Sequence, residues 1–157
     1  MKLKKYLYAA IMPFRRWYWN IFKPKTFGVK ILIMHSQNQN EILLVRPTYG
    51  NQTLWNIPGG GYNPKKETAL VAALRETKEE IGVDVSGAKQ VGEYQTSGEG
   101  KHDTVTLFAG KAITADLVLN SEIAEVVWQD YKIALNRSDV ARVARRTIEV
   151  TFSNKYS

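Results

Sequence analysis

The chain has 157 residues, enough for one domain with a single core, and its 44% hydrophobic and 24% charged content is that of a globular protein. It has no cysteine and two histidines, which excludes disulfide frameworks, thiol nucleophiles, thiolate zinc sites and multi-histidine metal centres. A metal here would be held by carboxylates and carbonyls, the donors of a hard cation such as magnesium or manganese.

The net charge of +7 is uneven: residues 1–30 hold eight basic residues and no acidic one, which leaves 14 basic against 15 acidic in the rest. The same stretch holds eight of the 17 aromatics, among them Phe14, Trp17, Trp19 and Phe22. Residues 1–25 therefore read as a basic aromatic extension, and 26–157 as the domain proper. Leu3, Leu7, Ala10, Phe14, Trp17 and Ile21 follow helical spacing, so an amphipathic helix, kinked or restarted at Pro13, is expected. The apolar run before Pro13 is too short to span a bilayer, and Arg15 and Arg16 follow it without a small-residue cleavage site. This suggests a cytoplasmic protein, peripheral to a membrane if the extension binds one. The apolar stripe suits packing on the domain or on a partner subunit in a homodimer. The basic aromatic composition suits a membrane surface or RNA.

Beyond Pro24 the pattern is mixed α and β. Phe27–Met34 and Ile42–Val45 read as strands joined by the polar turn Ser36–Asn40, a hairpin. Leu54–Ile57 is a brief extended stretch ending at Pro58 and the glycines 59–61. Glu67–Ile81 reads as a helix stopped by Gly82. Strands follow at Ala88–Gln95, Thr104–Ala109 and Ile123–Trp128, with turn chemistry at Ser97–Gly100. A final helix is expected over Ser138–Glu149, capped by Ser138 or Asn136.

The chemistry concentrates between Gly59 and Val83. On a helical wheel with Leu70 at zero, Leu74, Thr77 and Ile81 fall within about 40° of it and form the expected buried stripe. Glu76, Glu79 and Glu80 fall at about 240°, 180° and 280°, an arc on the other side. Three carboxylates at that spacing repel one another, and a divalent cation converts the repulsion into shared coordination. Alone they would read as a solvated face. Arg75, one turn before Glu79, can orient it by a charge-assisted hydrogen bond. Gly59, Gly60 and Gly61 let the backbone approach a metal or a substrate phosphate.

Taken together the residues are Gly61, five residues, Glu67, seven residues, then Arg75-Glu76-Thr77-Lys78-Glu79-Glu80-Ile81-Gly82-Val83. At about 7% per fixed position, the seven fixed residues coincide by chance about once in 10⁸ registers. The segment resembles the Nudix box, G-x5-E-x7-R-E-U-x-E-E-x-G-U, and matches every fixed letter. Thr77 stands where an aliphatic residue is usual, and the Tyr62–Lys66 loop is one residue longer than the commoner form. The resemblance implies an α/β/α sandwich around a mixed sheet, an α+β arrangement, and hydrolysis of a nucleoside diphosphate linked to another group. Glu76, Glu79 and Glu80 are then the metal-binding carboxylates for magnesium or manganese, with a carbonyl of Gly60 or Gly61 completing the set. Glu67 and Arg75 hold the loop and helix in shape. Glu122 is the candidate for a further acidic ligand or base, with Glu125, Glu99 and Glu93 as alternatives. Arg46, at the end of its strand, either contacts substrate phosphate or caps the hairpin; His102 has no assigned role. The cues of ADP-ribose, dinucleoside polyphosphate and coenzyme A members are absent, so the nucleotide substrate stays open. A nucleotide- or membrane-binding regulatory module, and hydrolysis at the 5′ end of RNA, are the competing readings.

Overall fold

A computed structural model describes residues 25–96, 102–114 and 116–153; the expected N-terminal helix, the Ser97–Gly100 turn and Glu99 lie outside them. Five strands form one mixed sheet: β1 (Lys25–Met34), β2 (Glu41–Pro47), β3 (Val85–Thr96), β4 (His102–Ala112) and β5 (Ile123–Asp130). The order across the sheet is β3-β4-β1-β2-β5. β1 and β4 run parallel from Lys25↔His102 to Met34↔Lys111, and the other neighbours are antiparallel. Helix α1 (Ala69–Ile81) covers one face, while α2 (Tyr131–Asn136) and α3 (Arg142–Ser153) cover the other. The layers follow from strict alternation along the central strands. Leu32, Met34, Ile42 and Leu44 enter the core under α3, whereas Val29, Ile31, Ile33, Leu43 and Val45 enter the core under α1.

The expected hairpin forms only at its turn. β1 and β2 pair at Met34↔Ile42, and the amide of His35 donates to Glu41 O at 2.8 Å. Beyond that point the strands part, and residues 56–62 run between them. On one side Val29 N donates to Gly60 O (2.9 Å), Ile31 N to Pro58 O (3.0 Å) and Tyr62 N to Phe27 O (3.0 Å). On the other, Val45 and Asn56 exchange both backbone bonds at 2.8 Å. The backbone groups that a hairpin ladder would have used are thereby satisfied by the glycine segment. Gly59 takes φ +134°, and a Cβ there would sit 2.1 Å from Val29 O, so only glycine lets the segment lie against β1.

Helix α1 starts at Ala69, two residues later than expected, because Thr68 caps it, accepting from Val71 N at 3.3 Å. Gly82 ends it in the left-handed region at φ 75°. Its packed face also differs from the expected stripe. Ala72, Ala73, Thr77 and Ile81 are buried, while Leu70 is 38% exposed. The buried arc is centred on small side chains, which allow close approach to the sheet, and it contains Glu76 and Glu80. These two carboxylates therefore flank the core instead of facing away from it. Thr77 tolerates burial by donating its hydroxyl to Ala73 O at 2.8 Å.

The chain's last third contains a short helix that the sequence reading lacked. Asp130 caps α2 by accepting from Lys132 N (2.8 Å) and Ile133 N (3.4 Å). The final helix then begins at Arg142, not Ser138. Residues 139–141 bridge instead to Trp55, with Trp55 N to Asp139 O at 2.7 Å and Ala141 N to Trp55 O at 2.8 Å. Neither Asn136, the last residue of α2, nor Ser138 caps α3. Arg145 fastens the two helices by donating to the carbonyls of Leu135 and Arg137.

Candidate active site

The end of α1 and the inserted glycine segment meet at one cleft of about 340 Å³, lined among others by Lys30, Asn56, Gly59, Gly60, Gly61, Glu76, Glu80 and Glu122. Backbone bonds put each acid there. Gly59 N donates to Glu80 Oε2 at 3.1 Å, tying the glycine segment to α1. The last carbonyls of α1 have no partner within the helix. They accept instead from the loop between β4 and β5: Val118 N bonds Ile81 O (2.9 Å) and Asn120 N bonds Glu80 O (3.0 Å). Asn120 Oδ1 in turn accepts from Glu122 N at 2.8 Å, and Glu122 O from Thr48 N at 2.9 Å. Glu122 is thus carried to Glu80 by a loop that caps the helix bearing Glu80.

Arg75 is the hub of the outer side. Its guanidinium grips Glu67 with two bonds (Nε–Oε2 3.2 Å, Nη2–Oε1 2.9 Å), and Nη1 reaches Glu76 Oε1 (2.9 Å) and Glu79 Oε2 (3.1 Å). The Glu67 bonds come first in raising Arg75 above its ordinary value, and they hold Glu67 below its own. Glu67 and Arg75 thus clamp the loop before α1 to the helix. Glu76 sits inside, 16% exposed, while Glu79 is 57% exposed and faces Arg75 instead of the cleft.

The cleft carries an electrostatic load. Burial pushes the Glu80 carboxyl up from 4.5 to about 7, with the negative charges of Glu76 and Glu122 adding to it; Lys30 and the Gly59 amide oppose it. Lys30 also lines the cleft, a residue to which the sequence assigns no role. Burial lowers its ammonium, while Glu80 and Glu76 raise it, and Nζ donates to Ile57 O (2.9 Å) and Gly59 O (3.0 Å). The available signal is a lysine inside the apolar run Val29–Met34.

Gly60 leaves room for Glu76: a Cβ at residue 60 would lie 2.7 Å from the Glu76 carboxyl carbon. The Gly60 carbonyl accepts from Val29 N at 2.9 Å, so its first commitment is to the sheet. Among the described residues, no three carboxylates or histidines stand gathered around one point as they would around a bound ion. The expected ligands Glu76 and Glu80 share the cleft; Glu79 is turned to Arg75.

Other expected residues lie elsewhere. Arg46 is not among those lining the cleft. It projects to the opposite side of the sheet from Val45, pairs with Glu125 at 3.0 Å and lies 4.3 Å over the Trp55 ring. Glu125 is therefore occupied with Arg46, and Glu93 is exposed on the edge strand β3.

A three-layer α/β/α domain with a glycine segment opposite a helix-borne carboxylate cluster defines the class. Residues 24–150 match the NUDIX domain family, and the chain belongs to that family. It is similar to the MutT protein from Methanosarcina mazei Go1, with 27% identity, a TM-score of 0.72, and coverage of 85% of this chain and 97% of that one. It shares its fold with the NUDIX domain of Shewanella oneidensis NrtR, a structure obtained with ADP ribose, at 16% identity, TM-score 0.72, and coverage of 86% and 91%. The human diphosphoinositol polyphosphate phosphohydrolase NUDT4B is 36% identical over 74 residues, which are 46% of this chain and 39% of that protein. The chain thus spans less than half the length of such curated relatives. No helix among the described residues is long and apolar enough to cross a membrane.

Proposed function

We propose that the domain hydrolyses a pyrophosphate bond in a substrate with a diphosphate joined to another group, with magnesium or manganese as cofactor. The observation that carries this reading is that Glu76, Glu80 and Glu122 line one cleft together with the glycine segment. Those acids are crowded at a cost visible in Glu80, which burial and the charges of Glu76 and Glu122 drive to about 7. The donors are all hard oxygens, and the absence of a Cβ at Gly60 leaves Glu76 its place, so the residues fit a hard divalent cation. Glu76 and Glu80 would hold it, and Glu79 would join them on giving up its bond to Arg75. Bound there, the cation neutralises phosphate oxygens and makes a coordinated water acidic.

The chain's own residues supply the rest. The Gly59 amide keeps one oxygen of Glu80 fixed, and the Glu67–Arg75 clamp keeps α1 at a set distance from the glycine segment. Glu122, the one acid brought in from a separate loop, is assigned to accept the proton of the attacking water. A general base contributes about 10²–10⁴ in rate, so Glu122→Gln is expected to lower kcat by that order while metal-bound protein remains folded. Substrates to test are the nucleotide sugars, ADP-ribose, (d)NTPs and 5′-triphosphate RNA suggested by the family, and the diphosphoinositol polyphosphates named for the human relative. Phosphate or pyrophosphate release, measured with magnesium, manganese and chelator, identifies the class. Release unaffected by chelator would contradict the proposal.

A further inference from the structure

A diphosphate entering a cleft lined by three acids is favoured by a protein cation beside the metal, and the two arginines singled out by the sequence do not supply one. Arg75 is spent on Glu67, Glu76 and Glu79, and Arg46 on Glu125 and the Trp55 ring. Among the described residues lining the carboxylate cleft, Lys30 is the only cation. An ammonium has three N–H donors. Two of them are held by Ile57 O and Gly59 O, and neither Glu76 nor Glu80 takes a hydrogen bond from the third. The two carbonyls fix the charge in place, so little side-chain freedom is left to lose when an anion binds.

Lys30 also stands where two clefts meet. A second cleft, of about 750 Å³, is lined by Lys25, Phe27, Lys30, Gly61, Tyr62 and Lys65 among others, and shares Lys30, Gly60 and Gly61 with the first. Its two acids are already engaged, Glu67 with Arg75 and Asp103 with the Thr26 hydroxyl at 2.9 Å. Lys25 and Lys65 make no ion pair among the described residues. An anion at Lys30 is therefore approached from a basic side and faces the carboxylates on the other.

We propose that Lys30 receives a phosphate of the substrate, placing the diphosphate at the junction of the two clefts. The assignment rests on the pyrophosphohydrolase reading for the identity of the substrate, but its test does not need turnover. The probe is methylenediphosphonate, the non-hydrolysable analogue of pyrophosphate, titrated calorimetrically into wild type, Lys30→Met and Lys30→Arg at saturating manganese. Manganese affinity is measured separately in each protein. Removing a positive charge beside the acids leaves manganese binding equal or tighter, while probe affinity falls at least tenfold in Lys30→Met and recovers most of the loss in Lys30→Arg. Two results would overturn the proposal: probe affinity unchanged in Lys30→Met, or manganese affinity lost in parallel with it, which would make Lys30 only a support of the metal site. If Lys30→Met does not fold, Lys30→Gln, which keeps an N–H donor, is read in the same way. Probe binding that depends on Lys30 in a protein that hydrolyses nothing would count against the reaction and leave this assignment standing.

Discussion

The two helical faces of the sheet solve different problems. Under α3 the buried residues are Ala144, Thr147, Ile148 and Phe152, with no carboxylate among them, and the Phe152 ring stacks on Tyr131 with centroids 3.7 Å apart. Under α1 the buried residues are Ala72, Ala73, Thr77 and Ile81, smaller on the whole, and Glu76 and Glu80 lie among them on the same arc. Both faces bury an apolar cluster, and the α1 face alone also keeps carboxylates close to backbone. Substitutions on the two faces should therefore move different observables.

The largest expected effect is on activity. Glu80→Gln removes a metal-holding charge, and turnover should fall by about three orders of magnitude or more. Because it also removes a buried charge, the metal-free variant should melt no lower than wild type at pH 8. A large loss of stability with turnover retained would reverse the division between the faces. Phe152→Ala is the mirror case. Truncating a buried aromatic costs about 3–5 kcal/mol, so chemical denaturation should show that loss, while KM and kcat of the folded enzyme at low temperature stay within a few-fold of wild type. Gly60→Ala falls between them. Its Cβ would meet the Glu76 carboxyl at 2.7 Å, so manganese affinity, followed by titration, should drop about tenfold or more. The smallest effect is expected at Glu125→Ala, whose partner bond is an ion pair 54% exposed on the glutamate side. Such pairs contribute about 0.2–1 kcal/mol, and kinetics should be near wild type; a large loss of turnover would restore Glu125 as a rival of Glu122.

The same division separates what was legible in the sequence from what was not. The Gly61–Val83 spacing is local, since a single loop and helix carry it, so the identities of Arg75, Glu76 and Glu80 and their shared helix were readable. The β-strands were readable for the same reason: alternation and β-branched runs are local signals. What escaped depends on contacts between distant segments. The hairpin opens because residues 56–62 outcompete β2 for the β1 backbone, which no periodicity records. The wheel placed Thr77 and Ile81 on the buried face of α1 but missed Ala72 and Ala73, because alanine carries little hydrophobic weight, yet its small size lets α1 approach the sheet. Arg46 is held by Glu125 on β5 and by the Trp55 ring, contacts with segments distant in the chain that its position at a strand end does not show. Lys30 was visible as a residue, but its role depends on Ile57 and Gly59, 27 and 29 positions away. α3 starts late because the backbone at 139–141 pairs with Trp55, a tertiary choice that overrides the Ser138 cap.

The central claim is that the Glu76–Glu80–Glu122 cleft is built for a divalent cation, and its most direct test is thermal melting across pH with and without manganese. Glu80 binds its proton more tightly folded, at about 7, than at its ordinary 4.5. Its contribution to stability is therefore complete below about 4.5 and lost as pH rises towards 7. Glu67 and Asp139, held below their ordinary values by Arg75 and Arg137, act only at lower pH. Metal-free wild type should thus melt at a lower temperature at pH 8 than at pH 5.5. Manganese should restore the loss at pH 8, and Glu80→Gln should show neither the pH slope nor the rescue. Melting that is independent of pH, or a manganese rescue of equal size in Glu80→Gln, would contradict the account.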